Sequence, residues 1–119
     1  MSTRQRADLP AFGPWPCSDL LEAHRLCHLD GSGELEYSAD DSVDSLGFLT
    51  RDVHKVGDKR HVWPVAMGTP LRAVADGVIG EGAIVYQADE GKLSATGTIR
   101  RGVSLEAAVD GDYFDFLPS

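Results

Sequence analysis

The chain has 119 residues with 11 basic and 19 acidic side chains, which gives a net charge of −8 at pH 7. This length corresponds to one domain, and the acidic balance argues against nucleic acid as a partner because phosphate groups bind basic surfaces. No apolar run reaches the roughly 18 residues that span a membrane, and the N-terminus lacks an apolar signal segment, so we expect an intracellular protein without a membrane partner.

Residues 1–16, MSTRQRADLPAFGPWP, show no alternating pattern and are rich in proline. Proline lacks a backbone N–H and fixes φ, so we predict an extended N-terminal arm without regular strand pairing, mobile until it binds a partner. Large aromatic side chains in such an arm are candidates for anchoring a contact. The candidate contact residues are two arginines and two aromatics of the arm and one tryptophan of a later strand: Arg4, Arg6, Phe12, Trp15 and Trp63.

Residues 17–29, CSDLLEAHRLCHL, carry the pattern that predicts the chain's one helix, at about residues 18–29. Ser18 is placed to cap its N-terminus. Asp19 and Glu22 fall in its first turns, where the helix dipole favours acidic side chains. Gly31 is expected to end the helix.

From Gly33 onward, short apolar or alternating runs separated by turn signals predict short antiparallel strands. The turn signals recur about every 8–12 residues, a spacing typical of small barrels and sandwiches. We therefore predict a mainly β fold, with residues 17–119 forming a single β-rich domain. This domain would be a small β-barrel or sandwich of short antiparallel strands, with one short N-terminal helix and the extended arm before it.

Two segments of this β region resemble each other. The run Gly47-Phe48-Leu49 leads to the turn Val56-Gly57-Asp58 and then to a predicted strand. The run Gly102-Val103-Ser104-Leu105 leads likewise to Val109-Asp110-Gly111-Asp112 and another predicted strand. Aligning them requires one gap, so the pattern fits either an internal duplication or two ordinary hairpins.

The segment HLDGSGELEYSADD, residues 28–41, resembles a calcium-binding loop. With Gly33 as the turn glycine, the first acidic ligand and the bidentate closing carboxylate are missing. Starting the loop at Asp30 instead places Leu35 where glycine is required. We therefore predict a glycine-rich turn that leads into a strand.

Cys17, His24, Cys27 and His28 form a second candidate metal set. On one helix Cys17 would lie about 10 Å from His24 along the axis, and no further CxxC or HxxxH pair completes a tetrahedral zinc site. The two cysteines would be about 15 Å apart, too far for a disulfide, so we expect reduced, structural thiols. We expect no metal and no other cofactor.

No catalytic motif emerges from the remaining polar residues. His54 and His61 have no evident nucleophile beside them, and the chain contains no GxSxG elbow, Walker loop or GxGxxG run. Arg72, Arg100 and Arg101 are expected to form rim salt bridges rather than a phosphate site. The chain is therefore expected to be a structural or binding module and not an enzyme.

The C-terminal half, residues 68–117, resembles the capsid decoration (cement or head-stabilising) proteins of tailed phages. The resemblance is carried by four pieces in order: an apolar step at Ile79–Tyr86, a turn at Ala88–Leu93, the run Gly102–Asp112 and a closing strand at Tyr113–Leu117. A weaker likeness extends back to near Leu46. The segment over residues 17–29 and the acidic loop after it lie outside the pattern.

This resemblance implies a structural virion protein that binds the outer surface of an icosahedral capsid and stabilises contacts between capsomers. It also implies that the partners are the major capsid protein and further copies of the chain, as homotrimers at or near three-fold positions. The expected location is the capsid exterior, after synthesis in the host cytoplasm. The residues themselves leave open an alternative, a small intracellular β-barrel binding or accessory module without catalytic activity.

Overall fold

A computed structural model of the chain describes residues 11–65 and 68–119, which form a mainly β fold. The prediction of short antiparallel strands is confirmed. Within these residues one 3₁₀ turn, Asp89–Gly91, is the sole helical element, and no helix has the length and hydropathy to cross a membrane. The ten strands are β1 (Phe12–Pro16), β2 (Leu26–Leu29), β3 (Leu35–Tyr37), β4 (Gly47–Leu49), β5 (Lys59–Pro64), β6 (Leu71–Val74), β7 (Ile84–Gln87), β8 (Leu93–Ser94), β9 (Arg100–Ser104) and β10 (Tyr113–Pro118).

The strands form two five-stranded sheets with the same internal order. The first half of the chain forms sheet one, with the order β1-β5-β4-β2-β3, and the second half forms sheet two, with the order β6-β10-β9-β7-β8. Neighbouring strands are antiparallel in both sheets. Adding five to each strand number in the order of sheet one gives the order of sheet two, so the two halves have the same topology.

The turns between the strands repeat as well. Cys17 exchanges backbone hydrogen bonds of 3.0 and 2.9 Å with the turn Gly57-Asp58, and Ala75 exchanges two of 2.9 Å with the turn Gly111-Asp112. These are the two turns that the sequence comparison aligned. The resemblance between the segments is therefore a repeat of structure, and residues 12–64 and 71–118 are two copies of one β unit.

A close approach between strands recurs at the same place in each copy. Gly47 of β4 lies opposite Pro64, and Gly102 of β9 lies opposite Pro118. A Cβ at Gly47 would overlap the backbone carbonyl of Trp63, and a Cβ at Gly102 would overlap that of Leu117. Glycine is required at both positions because the facing backbone leaves no room for a side chain.

The predicted helix over residues 18–29 is wrong. Residues 26–29 form β2, and His24 has a φ of +66°, outside the helical region. The loop before β2 is held by long-range bonds from its N–H groups instead of an i→i−4 ladder. These bonds are Ser18 to the carbonyl of Leu35 (3.0 Å), Glu22 to the hydroxyl of Tyr37 (2.7 Å), Ala23 to Oδ1 of Asp52 (2.8 Å) and His24 to the carbonyl of Leu49 (2.8 Å).

Two apolar clusters stabilise the fold, one on each face of sheet one. The first contains Leu26 and Phe48 of sheet one together with buried residues of sheet two, so it joins the halves. Within it the rings of Phe48 and Phe116 are 5.5 Å apart. The second cluster, on the opposite face, is covered by Leu21 from the loop before β2 and by Val53 from the loop after β4.

The prediction that the N-terminal arm lacks regular pairing is wrong for residues 12–16. These residues form β1, which pairs with β5 at the edge of sheet one. An edge strand tolerates Pro14 and Pro16 because one side of its backbone needs no ladder partner, and the register shifts between Phe12 and Trp15. The part of the predicted arm over residues 1–10 lies outside the described residues.

Candidate contact surfaces

Strand β1 presents the two aromatic residues that were predicted to anchor a contact. Phe12 is 50% exposed at the sheet edge. Trp15 is half-buried and packs against the second cluster. Phe12 is thus available to a partner, whereas much of Trp15 already stabilises sheet one. The other two candidates of the arm, Arg4 and Arg6, lie outside the described residues.

Trp63, the fifth candidate, lies between the two halves. It packs against the first cluster, and its ring stacks on that of His24 at a centroid distance of 6.0 Å. On its other side the His24 ring meets Tyr113 edge-on at 5.6 Å. Trp63 is half-buried by these contacts, so packing between the halves accounts for this aromatic residue without a partner.

An open cleft of about 380 Å³ lies beside this aromatic group. Arg72, one of the residues that line the cleft, forms an ion pair with Asp115 of β10, with 3.2 Å between Nε and Oδ1. His54, one of the two histidines considered as a base, lines it, but the described lining residues include no Ser, Thr or Cys that would act as a nucleophile. The lining residues are Ala23, His24, Arg51, Asp52, His54, Arg72 and Tyr113.

The segment that resembles a calcium loop is a tight turn into β3, as predicted. The carboxylate of Asp30 accepts backbone hydrogen bonds from Ser32 (2.8 Å) and Glu34 (3.0 Å). These bonds, the one from Glu34 most strongly, lower the pKa of Asp30. The carboxylate therefore stabilises the turn Asp30–Glu34, and across residues 11–65 and 68–119 no group of three His, Cys, Asp or Glu side chains is arranged to hold a metal ion.

The residues of the candidate zinc set have other contacts. His28 lies between two carboxylates, with Nε2 2.9 Å from Glu36 and Nδ1 3.0 Å from Asp44. Cys17 and Cys27 are free, buried thiols, in agreement with the expected reduced state. Burial raises the pKa of both thiols, that of Cys27 to about 12, so neither is an activated nucleophile.

Gln87 is a structural residue that the sequence pattern did not reveal. Its amide is fully buried in β7 and donates to the carbonyls of Ala39 (2.6 Å) and Ser42 (2.7 Å). Its Oε1 accepts two hydrogen bonds from the guanidinium of Arg101, at 3.0 and 2.6 Å. One side chain of the second half thereby fixes the acidic loop of the first half, which we define as residues 38–46.

Sheet two has an exposed face opposite the first cluster, which we call the outer face. Its centre is a row of three apolar residues that lie directly opposite one another on adjacent strands: Ile84, Val103 and Leu117. Ile84 and Leu117 are 38% and 37% exposed, while their neighbours Val85 and Phe116 are fully buried. This alternation is that of a sheet with one face in the core and one face in solvent.

No protein-family model matches the chain, and no curated protein sequence matches it. Its fold does match a solved structure, the head fiber gp8.5 N base of bacteriophage phi29, with a TM-score of 0.73. The match covers 93% of this chain and 94% of that chain at 18% sequence identity. At this identity the comparison establishes a shared fold. The similar protein is a phage head component, in agreement with the resemblance to phage capsid decoration proteins.

Proposed function

We propose that this protein is a structural component of a phage virion that binds the outer surface of the capsid and stabilises contacts between capsomers. The observation that carries the proposal is the match of nearly the whole chain to the N base of a phage head fiber. The sequence resemblance of residues 68–117 to capsid decoration proteins points to the same class independently. The partner in this proposal is the major capsid protein.

The edge of sheet one is the surface that we assign to the capsid contact. Phe12 is half exposed there, and Trp15 follows it on the same strand. The two arginines that precede β1 in the chain, Arg4 and Arg6, have a charge opposite to the net charge of −8. An exposed aromatic anchor preceded in the chain by basic residues suits an acidic, partly apolar partner surface.

We further propose that the protein acts as a homotrimer on the shell. Three copies around a three-fold position would each present the edge of sheet one to a capsomer. The contacts between the three copies would then link these capsomers. Such multivalent attachment strengthens binding without new contacts within any one copy. This arrangement is how a structural domain would stabilise a capsid.

A pelleting experiment with capsid shells tests the proposal. Shells assembled from the major capsid protein of the same phage are mixed with the wild-type chain, and bound protein is measured as a function of concentration. We expect saturable binding, and we expect Phe12→Ala to weaken the intrinsic affinity by about thirtyfold, the effect of losing one anchor worth about 2 kcal/mol. Val78→Ala, at a 75% exposed valine in the second half, is the matched control. Absence of wild-type binding would contradict the capsid role and would favour a binding module of another kind.

A further inference from the structure

The repeat identifies the counterpart of the outer face in the first half. There Leu26 lies opposite Phe48, and Phe48 lies opposite Trp63. In the second half Ile84 lies opposite Val103, and Val103 lies opposite Leu117. The two rows occupy the same positions on equivalent strands, so they are one surface present twice in the chain.

The two copies of this surface differ in what covers them. Leu26 and Phe48 are fully buried because the second half packs against them. Ile84, Val103 and Leu117 are also apolar, but among the described residues they are covered less: Ile84 and Leu117 are 38% and 37% exposed, and Val103 is half-buried. In this β unit the surface is therefore a site for packing against another unit, and in the second half that site is open.

A second chain cannot extend this packing by placing its first half on the outer face of the second half. In the second half, Ala73 and Phe114 are paired residues of the first cluster, the cluster that receives the first half. The equivalent pair in the first half is Trp15 and Arg60. The large ring of Trp15 covers its own cluster, and the Arg60 guanidinium is held by the carbonyl of Asp52 at 3.0 Å. The equivalent position of the first half is therefore already occupied by side chains of its own unit and is closed to the outer face of a second copy.

Electrostatics favour contact between the outer faces themselves. Two chains with a net charge of −8 repel each other unless the surfaces that meet carry little net charge. The row Ile84, Val103 and Leu117 is uncharged, and Arg72 and Asp115 beside it lie opposite each other and pair. The nearby carboxylate of Glu106 accepts a hydrogen bond from the N–H of Asp115 at 2.9 Å. A further apolar side chain, Leu105, follows Val103 by two residues and is 44% exposed.

From these observations we infer that copies of this chain associate through their outer faces, with Ile84, Val103 and Leu117 packed around a shared symmetry axis. The partner is a second copy of the chain, and the inference rests on the proposed function only for the number of copies, three. The capsid contact at the edge of sheet one is a separate surface on the other half of the chain.

Light scattering across a range of concentrations, combined with shell pelleting, tests the inference. We expect the wild-type chain to reach the mass of a trimer, and we expect Val103→Asp to weaken this association by more than about a hundredfold, since it would bury an unpaired carboxylate. Val109→Asp, at a 56% exposed valine away from the face, should associate as the wild type does. If Val103→Asp lowers the melting temperature, the milder Ile84→Thr provides the same test, because threonine is β-branched like isoleucine and introduces a hydroxyl group in place of a charge.

The outcomes separate the two proposals. A wild-type dimer that Val103→Asp converts to a monomer supports the outer face and contradicts the trimer. Wild-type association that Val103→Asp and Ile84→Thr leave unchanged overturns the inference and leaves the capsid role intact. A chain that is monomeric in solution, and whose binding to shells is unaffected by Val103→Asp, overturns it as well.

Discussion

His24 occupies in the first half the backbone position that Gly82 occupies in the second. His24 donates its N–H to the carbonyl of Leu49 at 2.8 Å, and Gly82 donates to that of Ser104 at 2.9 Å. Both have left-handed φ values, +66° for His24 and +80° for Gly82. The turn before β2 and β7 thus requires this conformation in both copies, and in the first copy a histidine adopts it with its ring held between Trp63 and Tyr113.

We predict that Gly82→Ala lowers the free energy of unfolding by about 1–2 kcal/mol, the cost of a left-handed conformation for a residue with a Cβ. A Cβ at Gly82 would meet no atom within 4 Å, so the loss measures backbone strain alone. Gly80→Ala is the control, because Gly80 has equal space and no left-handed φ. It should be neutral or stabilising by up to about 1 kcal/mol. Equal effects of the two substitutions in urea unfolding would show that the turn at Gly82 is not left-handed.

Replacing Gln87 tests the connection between the acidic loop and sheet two. Gln87→Leu would leave two buried carbonyls and the guanidinium of Arg101 without their partner, and we expect a loss of about 3 kcal/mol. Chemical denaturation measures this loss, and Val78→Ala on the surface should change stability by less than about 0.5 kcal/mol. Hydrogen exchange of the acidic loop should also become faster in Gln87→Leu. A variant as stable as the wild type would mean that the amide bonds contribute nothing to the fold.

The buried thiols predict a loss of stability at alkaline pH. Burial raises the pKa of Cys27 from its ordinary 9.0 to about 12, so the folded chain retains a proton that the unfolded chain releases. The stabilising effect is complete below pH 9 and is lost as the pH rises towards 12, with a slope of up to about 1.4 kcal/mol per pH unit for one group. The stability of Cys27→Ala should depend less steeply on pH over this window. Identical slopes for the wild type and the variant would contradict a protonated Cys27.

The N-terminal strand predicts different effects for two truncations. Deleting residues 2–11 leaves β1 intact and should leave the thermal transition nearly unchanged. Deleting residues 2–16 removes β1 and the half-buried Trp15, and should lower the free energy of unfolding by about 3 kcal/mol or more. It would also expose β5 as a new edge that favours aggregation. If both truncated chains have the same melting temperature as the full-length protein, β1 does not contribute to the stability of sheet one.

The sequence contained enough local information to predict strands from β3 onward, but not β1, β2 or the loop before β2. Gly57-Asp58 and Gly111-Asp112 mark turns by residue type, so the strands that follow them were predicted near their observed positions. The segment over residues 18–29 carries helical spacing, but Tyr37, Leu49 and Asp52 compete for its N–H groups. These partners are 15 to 29 residues away along the chain, and a local pattern contains no information about them.

The candidate contacts were predictable to different degrees. Phe12 stood out because an aromatic residue in a proline-rich segment has few apolar neighbours, and it is exposed in the structure. The role of Trp63 between the halves depends on the repeat, which becomes clear only when the strand orders of the two sheets are compared. The outer face could not be found from the sequence, because Ile84, Val103 and Leu117 resemble core residues until their burial is known.

The most direct test of the proposed function is a cryo-electron microscopy reconstruction of capsid shells saturated with the full-length protein. We predict density for the two-sheet fold on the outer surface, in groups of three at or near three-fold positions, with the edge of sheet one facing the capsomers and the outer faces meeting at the axis. Shells without added density, or density on the inner surface, would contradict a capsid-decorating role.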